Sequence, residues 1–223
     1  AWGRPIPAQK GHHVIGMLRA AERGEIRGMY IVGENPVRAE ANADRVERAL
    51  RGLEFLVVQE IFLTETARCA DVVLPAAASW IETDGTFTSG ERRIQRVRKG
   101  KNPPGEARAD LEIINDIAKR LDPSWQVKDA REVWEEIRQV VPMFRGITYE
   151  RLEREGGIQY PCYAADQPGT RFLHSRLWDD PEAKAPFTPV EHRPPAEPPD
   201  EEYPFVLTTG RRLKYYNTGV LDE

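Results

Sequence analysis

Three short apolar runs occupy residues 29–32 (MYIV), 55–58 (FLVV) and 72–74 (VVL), with helix-like sequence before the first two. Runs this short, rich in β-branched and aromatic residues and bounded by turn formers, read as strands, the first as a buried one and the second, continuous in "LEFLVVQE", as one covered on both faces. Strands that alternate with helices join in parallel, because a parallel neighbour is reached only through a crossover. "HHVIGMLRAAERGE" sets Val14, Leu18 and Ala21 on one helical face, with Gly24 to end it. "NADRVERALRG" turns Val46, Ala49 and Leu50 inward, with Asn42 or Asp44 as cap and Gly52 as stop. "TETARCA" is helical by composition. The expected fold is α/β, with residues 1–80 forming part of a doubly wound parallel sheet. Three strands are few for such a sheet, so its other strands are expected from sequence outside this chain.

The pattern changes after Trp80. Asp84–Gly85 predicts a β-hairpin within residues 81–100, flanked by Phe87, Ile94 and Val97. Residues 101–155 read as a linker and a helical segment. In "RADLEIINDIAKRL", Leu111, Ile114, Ile117, Ala118 and Leu121 fall in register behind Asp110, and "AREVWEEIRQVV" turns Val133, Trp134, Ile137 and Val141 inward. Ten of the 18 prolines lie between Gly156 and Pro204. Residues 156–202 are therefore expected to form a Pro-rich irregular arm, with Tyr160, Phe172, Leu173 and Trp178 packing along a surface. "YPFVLTTG" reads as a strand that opens a new unit over residues 203–223.

With 32 basic against 36 acidic side chains, the 223-residue chain carries a net charge of −4. That balance gives no electrostatic footprint for nucleic acid. No apolar run approaches the roughly 18 residues of a membrane span, and no signal-peptide pattern opens the chain, so a cytoplasmic location is expected. Cys69 and Cys162 lie far apart, and His12, His13, His174 and His192 show no metal-ligand spacing. No residue of the chain is expected to bind a metal. His12 and His13 are expected to cap a helix or face solvent. The start without Met and the stop just after a strand-like stretch read as a piece of a larger protein.

The strand ends carry the chemistry. "MYIV" runs into Gly33, Glu34, Asn35 and Pro36. The residue before proline is pushed to extended backbone, which is expected to project the Asn35 amide past the sheet edge, while Gly33 lets a ligand reach the backbone. The second run ends in Gln59 and Glu60, and the third in the small residues of "LPAAASW". An ordinary strand-to-helix turn explains each alone. Three such ends in succession suit a ligand at the carboxyl edge of an open sheet. A plain nicotinamide site is disfavoured, because no G-x-G-x-x-G loop is present.

"MYIVGENPV", "LVVQEIFLTETARCADVVLPAAASWIETDGTFTSGERRIQRV" and "ARADLEIINDIAKRL", in this order and spacing, resemble the molybdopterin oxidoreductase family, and most of all the catalytic α subunits of formate dehydrogenases. The resemblance runs through residues 1–122 and resumes at "YPFVLTTGRRLKYYNTG". It implies that residues 1–80 are a Rossmann-like portion holding a molybdopterin guanine dinucleotide, with molybdenum or tungsten. "DGTFTSGERR" resembles the hairpin that returns to an iron–sulfur domain. "YPFVLTTGR" resembles the first strand of a C-terminal β-barrel domain that closes over the pterins.

Carried over by position, Asn35 and Gln59 lie where the family contacts the dinucleotide, and Gly33, Glu34, Pro36 and Glu60 flank them. Asp110 matches the acid whose carboxylate suits the N1–H and amino edge of guanine, and a helix N-cap is its plain alternative. Arg211, after Gly210, resembles a phosphate- or pterin-contacting arginine. "KYYNTG" lacks a histidine that relatives carry near Tyr215 or Tyr216, which leaves Asn217 and Thr218 as polar contacts. The implied function is two-electron oxidation of formate to CO2 by the whole enzyme, with the chain alone inactive. The iron–sulfur cluster, the rest of the polypeptide and electron-transfer subunits would be its partners. The alternatives are a nitrate reductase, a large subunit of an NADH–quinone oxidoreductase without molybdenum, or a non-catalytic scaffold.

Overall fold

The computed structural model describes residues 8–79, 81–174, 182, 184–208 and 210. The chain divides into two units, Ala1–Arg171 and Phe172–Glu223.

In the first unit, strands β1 (Gly28–Val32), β2 (Phe55–Glu60) and β3 (Val72–Pro75) form a parallel sheet in the order β1-β2-β3. Gly28 lies beside Phe55, and Val57 beside Val72. This is the adjacent parallel arrangement expected from the three apolar runs. Helix α1 (Val14–Glu22) begins at His13, whose Nδ1 accepts from the Gly16 N–H, so one of the two adjacent histidines is a cap. The short α2 (Pro36–Ala39) follows β1, and α3 (Ala43–Arg51) starts at Asn42, whose side chain accepts from the Arg45 N–H. Leu18 of α1 and Val46, Ala49 and Leu50 of α3 pack on Leu56 and Val58, which point to one face of β2. The alternate residues Tyr30, Phe55 and Val72 face the other way and are exposed.

A second, antiparallel sheet contains β4 (Gly85–Thr88), β5 (Arg93–Val97) and β6 (Ile158–Gln159). The hairpin is present but its turn is not at Asp84–Gly85. Gly85 opens β4, and the chain reverses over Ser89–Arg92, where the Ser89 N–H donates to Arg93 O and Arg92 sits at φ +63°. Arg92 is held in this left-handed conformation from outside the hairpin, since its guanidinium donates to the carbonyls of Tyr160, Thr170 and Arg171. Helices α4 (Asp110–Leu121), α5 (Ala130–Val140) and α6 (Tyr149–Glu155) follow. Ile94, Trp134, Ile147, Leu152, Ile158 and Cys162 form the core here, and Trp134 Nε1 donates to Ile147 O. Residues 156–171, expected in the irregular arm, thus supply a strand and core side chains.

The inward face of α4 also differs from the sequence reading. Ile113 and Asn115 are its buried residues, whereas Ile114 is half exposed and Leu121 almost fully exposed. Ile114 and Leu111 line an open groove shared with Val133, Ile137 and Val140 of α5. The amphipathic stripe is real, but within this chain it borders a groove instead of a closed core.

In the second unit, residues 184–208 carry no helix or strand, and Phe187, Val190 and Phe205 are exposed. Tyr203 to Thr208, expected as a strand, have no ladder partner among the described residues. A lone extended segment has nowhere to place its backbone hydrogen bonds, so no strand forms. The continuation of this stretch into residues 211–223 lies outside the described residues.

Candidate functional site at the strand ends

The turns after β1 and β2 leave the sheet together. Val32 pairs with Gln59, and the Gly33 N–H donates to Gln59 O at 2.9 Å. Gly33 has φ +63°, and nothing lies within 4 Å of where its Cβ would stand. An L side chain is disfavoured there, and the bare backbone is open to an approaching group. Glu34 beside it is exposed. Pro36 fills the first position of α2, where a missing N–H costs nothing.

Asn35 does not project past the sheet edge. It is 2% exposed, and its Oδ1 accepts from Thr66 Oγ1 at 2.7 Å and from the Thr66 N–H at 3.3 Å. Its Nδ2 donates to Glu65 Oε2 at 2.7 Å. That bond, first among several causes, holds the Glu65 carboxyl below the usual carboxylate range. Thr66 Oγ1 in turn accepts from the Val37 N–H at 3.2 Å. Asn35 therefore ties the turn after β1 to the loop after β2. A buried amide must place its polar atoms, and partners some thirty residues away in sequence are what draw it inward.

Gln59 is fully buried at the carboxyl end of β2. Its Nε2 donates to Asp110 Oδ1, and its Oε1 accepts from the Tyr30 hydroxyl. Asp110 arrives beside the strand ends because the chain before α4 runs along β3. Arg108 N donates to Pro75 O at 3.1 Å, and Ala77 N donates to Arg108 O at 2.8 Å. The N-cap reading of Asp110 is corrected here. Ala109 holds the cap position, no side chain caps the helix, and Asp110 is the first helical residue. Its carboxylate turns to Gln59 instead, a position also favoured by the helix dipole.

Glu60 is half-buried on the same edge, with Oε1 accepting from the Ile61 N–H at 2.7 Å. Burial pushes its carboxyl above the usual range, opposed by that backbone bond and reinforced by the charges of Asp110 and Glu34. A folded-state value above the unfolded one means that ionised Glu60 costs stability, and the cost appears as pH rises through the folded value. Glu60→Gln is thus expected to be more stable than the parent chain at pH 7. The difference should vanish below about pH 4.5, the ordinary value. Thermal unfolding of both proteins across pH 4–8 checks this, and an equal offset at every pH contradicts it.

The arrangement brings Gly33, Gln59, Glu60 and Asp110 to one edge, and turns Asn35 beneath it. Carboxylate oxygens dominate the edge, so it is built to accept hydrogen bonds from hydroxyl, amide or ring N–H donors. Gly210 is exposed in the second unit, and Arg211, Asn217 and Thr218 lie outside the described residues. Among the described residues no group of three or more His, Cys, Asp or Glu side chains is placed to hold a metal. Sequence reasoning missed Tyr30, Glu65 and Thr66. Tyr30 is the one side chain of its strand with a hydroxyl, and Thr64–Glu65–Thr66 directly follow an apolar stretch; both were visible signals.

The family model described as "Molybdopterin oxidoreductase" matches residues 5–120. The chain belongs to this family. It is 48% identical over 198 residues to the F420-dependent formate dehydrogenase subunit alpha of Methanocaldococcus jannaschii, covering 88% of this chain and 29% of that protein. It is 37% identical over 220 residues to the assimilatory nitrate reductase catalytic subunit of Bacillus subtilis, covering 95% of this chain and 31% of that one. The chain therefore spans about three-tenths of the length of these relatives. Among solved structures, acetylene hydratase from Pelobacter acetylenicus shares the fold over 66% of this chain and 20% of its own, with a TM-score of 0.51 and 22% identity.

Proposed function

We propose that this chain is the dinucleotide-holding part of a molybdenum- or tungsten-dependent formate dehydrogenase, a reading that rests on the Gln59–Asp110 bond. That bond sets an acceptor-only carboxylate at the carboxyl edge of a parallel sheet, beside the open backbone of Gly33. This set of acceptors fits the guanosine end of a molybdopterin guanine dinucleotide. Guanine offers N1–H and amino donors to Asp110, and ribose hydroxyls suit Glu34 and Glu60. The pyrophosphate end would need cations, which the described residues of this edge do not supply.

The bound cofactor would take up the two electrons of formate as it becomes CO2 and a proton. This chain's residues position the cofactor, which is the protein's part in such chemistry. Asn35 braces the two loops, Gln59 holds Asp110, and Asp110 reads the base. An iron–sulfur cluster and the electron-transfer partners would be contributed by the rest of the enzyme, at a cytoplasmic location. Nitrate reduction is the second reading, favoured by the 37% identity to the Bacillus subtilis enzyme.

Element and nucleotide analysis of the full-length enzyme tests the proposal. The expected result is molybdenum or tungsten with one guanine nucleotide released by acid per pterin, together with formate-dependent dye reduction. Iron without pterin would overturn it in favour of an electron-transfer subunit, and nitrate-dependent turnover without formate oxidation would select the second reading. The 223-residue chain alone is expected to reduce no dye with formate.

A further inference from the structure

We propose that Tyr30 is a positioning residue for base recognition, acting through Gln59 on Asp110. The inference rests on the reading that Asp110 holds the guanine. The order of bonds follows from chemistry. An ionised carboxylate only accepts, so Gln59 must turn its Nε2 toward Asp110. Its Oε1 is then left facing Tyr30, and the phenol must donate to it. The three groups form a one-way chain from Tyr30 O–H through the amide to the carboxylate.

Two further observations support this. Tyr30 stays a donor over the working pH range, because burial and then the negative charge of Asp110 push its hydroxyl above the ordinary value. Gln59 is fully buried, and Tyr30 is the one described side chain bonded to its Oε1. Without Tyr30 that oxygen would be a buried acceptor without a partner, and the amide would have to move to satisfy it. Asp110 would then lose the bond that fixes its plane. Among the described residues no other side chain bonds Asp110, so one oxygen is left wholly to a ligand, and the oxygen that accepts from Gln59 keeps a second lone pair for it.

The consequence is selectivity more than affinity. A carboxylate held in one plane can accept from both N1–H and the amino group of guanine, a paired contact that needs alignment. A carboxylate free to rotate still meets a single N–H but seldom two. Loss of Tyr30 should therefore weaken guanine more than hypoxanthine, which lacks the amino group.

The test uses the full-length enzyme freed of cofactor, with GMP and IMP as probes in equilibrium titrations. The parent protein should prefer GMP by about tenfold, the value of one charge-assisted bond. Tyr30→Phe should cut that ratio to about threefold or less with little change in IMP affinity. Gln59→Met breaks the chain at its second link and should give the same narrowing, which keeps the proposal testable should Tyr30→Phe fold poorly. Equal weakening of both nucleotides would make Tyr30 merely structural and overturn the proposal. So would a parental ratio in Tyr30→Phe beside a collapsed ratio in Asp110→Asn, with the Asp110 reading left standing. A parental ratio in Asp110→Asn itself would overturn that reading, and this inference with it.

Discussion

Asp110→Asn in the full-length enzyme is expected to leave a folded protein that has lost most of its guanine dinucleotide. The structure sharpens why. Asp110 caps no helix, so the amide removes no cap bond. An asparagine oxygen can still accept from Gln59 Nε2, but the other atom becomes an NH2 donor. That donor would face the N1–H and amino donors of guanine. A hydrogen bond to a charged group is worth about 1.5–3 kcal/mol, which corresponds to about a ten- to hundredfold loss of affinity. Asp110→Ala should lose a similar amount without the donor clash, and Asn35→Ala should lose less cofactor per molecule but more thermal stability. Asn35 supports loops through Thr66 and Glu65, so its effect on the cofactor is indirect. Acid-released guanine nucleotide per protein, measured beside a melting curve, separates these outcomes.

Arg151→Met should destabilise the first unit by about 2–4 kcal/mol, chiefly because two buried carbonyls lose their donor, at about 1–3 kcal/mol each. The Arg151 side chain is 7% exposed. Its guanidinium donates to Gly146 O at 2.7 Å and Gln167 O at 2.8 Å, and pairs with Glu155 at 3.0 Å. Methionine keeps most of the packing but leaves both carbonyls without a donor, and Glu155 with Arg154 as its remaining partner. Glu155→Gln should cost far less, since Arg151 keeps both carbonyl bonds. The pH dependence follows. The bond from Arg151, the leading cause, holds the Glu155 carboxyl below its ordinary 4.5. A depressed folded value gives stability that is present above pH 4.5 and lost as pH falls through the folded value. Arg151→Met should flatten that acid limb, and denaturant titrations at pH 3.5 and pH 7 of both proteins check it. An unchanged midpoint at pH 7 would contradict the account.

The parallel strands were legible because their signal is local. Each is a short apolar run with turn formers at its ends, although only the face of Leu56 and Val58 is covered here, while Tyr30, Phe55 and Val72 on the other face are exposed. The meeting of Gln59 with Asp110 was anticipated only as two separate positions, each at an element's end. What joined them was the path of residues 75–77 beside Arg108, a long-range pairing without a local signature. Asn35 was misread for the same reason. Its own neighbours, Gly33 and Pro36, predict an exposed turn, while the partners that bury it are Glu65 and Thr66. The hairpin shows a local signal losing to a distant one. Asp84–Gly85 has the turn composition, yet carbonyls at 160, 170 and 171 hold Arg92 and set the reversal at Ser89–Arg92. On α4 the apolar stripe was seen correctly, but periodicity does not say whether a stripe meets a closed core or an open groove.

The most direct measurement is the position of the guanine in an experimental structure of the full-length enzyme with cofactor bound. The account predicts the guanine N1 and its amino nitrogen about 2.7–3.2 Å from the Asp110 carboxylate oxygens, the range of a charge-assisted hydrogen bond. Tyr30 should still donate to Gln59, and the Gly33 backbone should lie beside the ribose. A guanine bound elsewhere, with no nitrogen of the dinucleotide within about 4 Å of Asp110, well beyond hydrogen-bond reach, would contradict it.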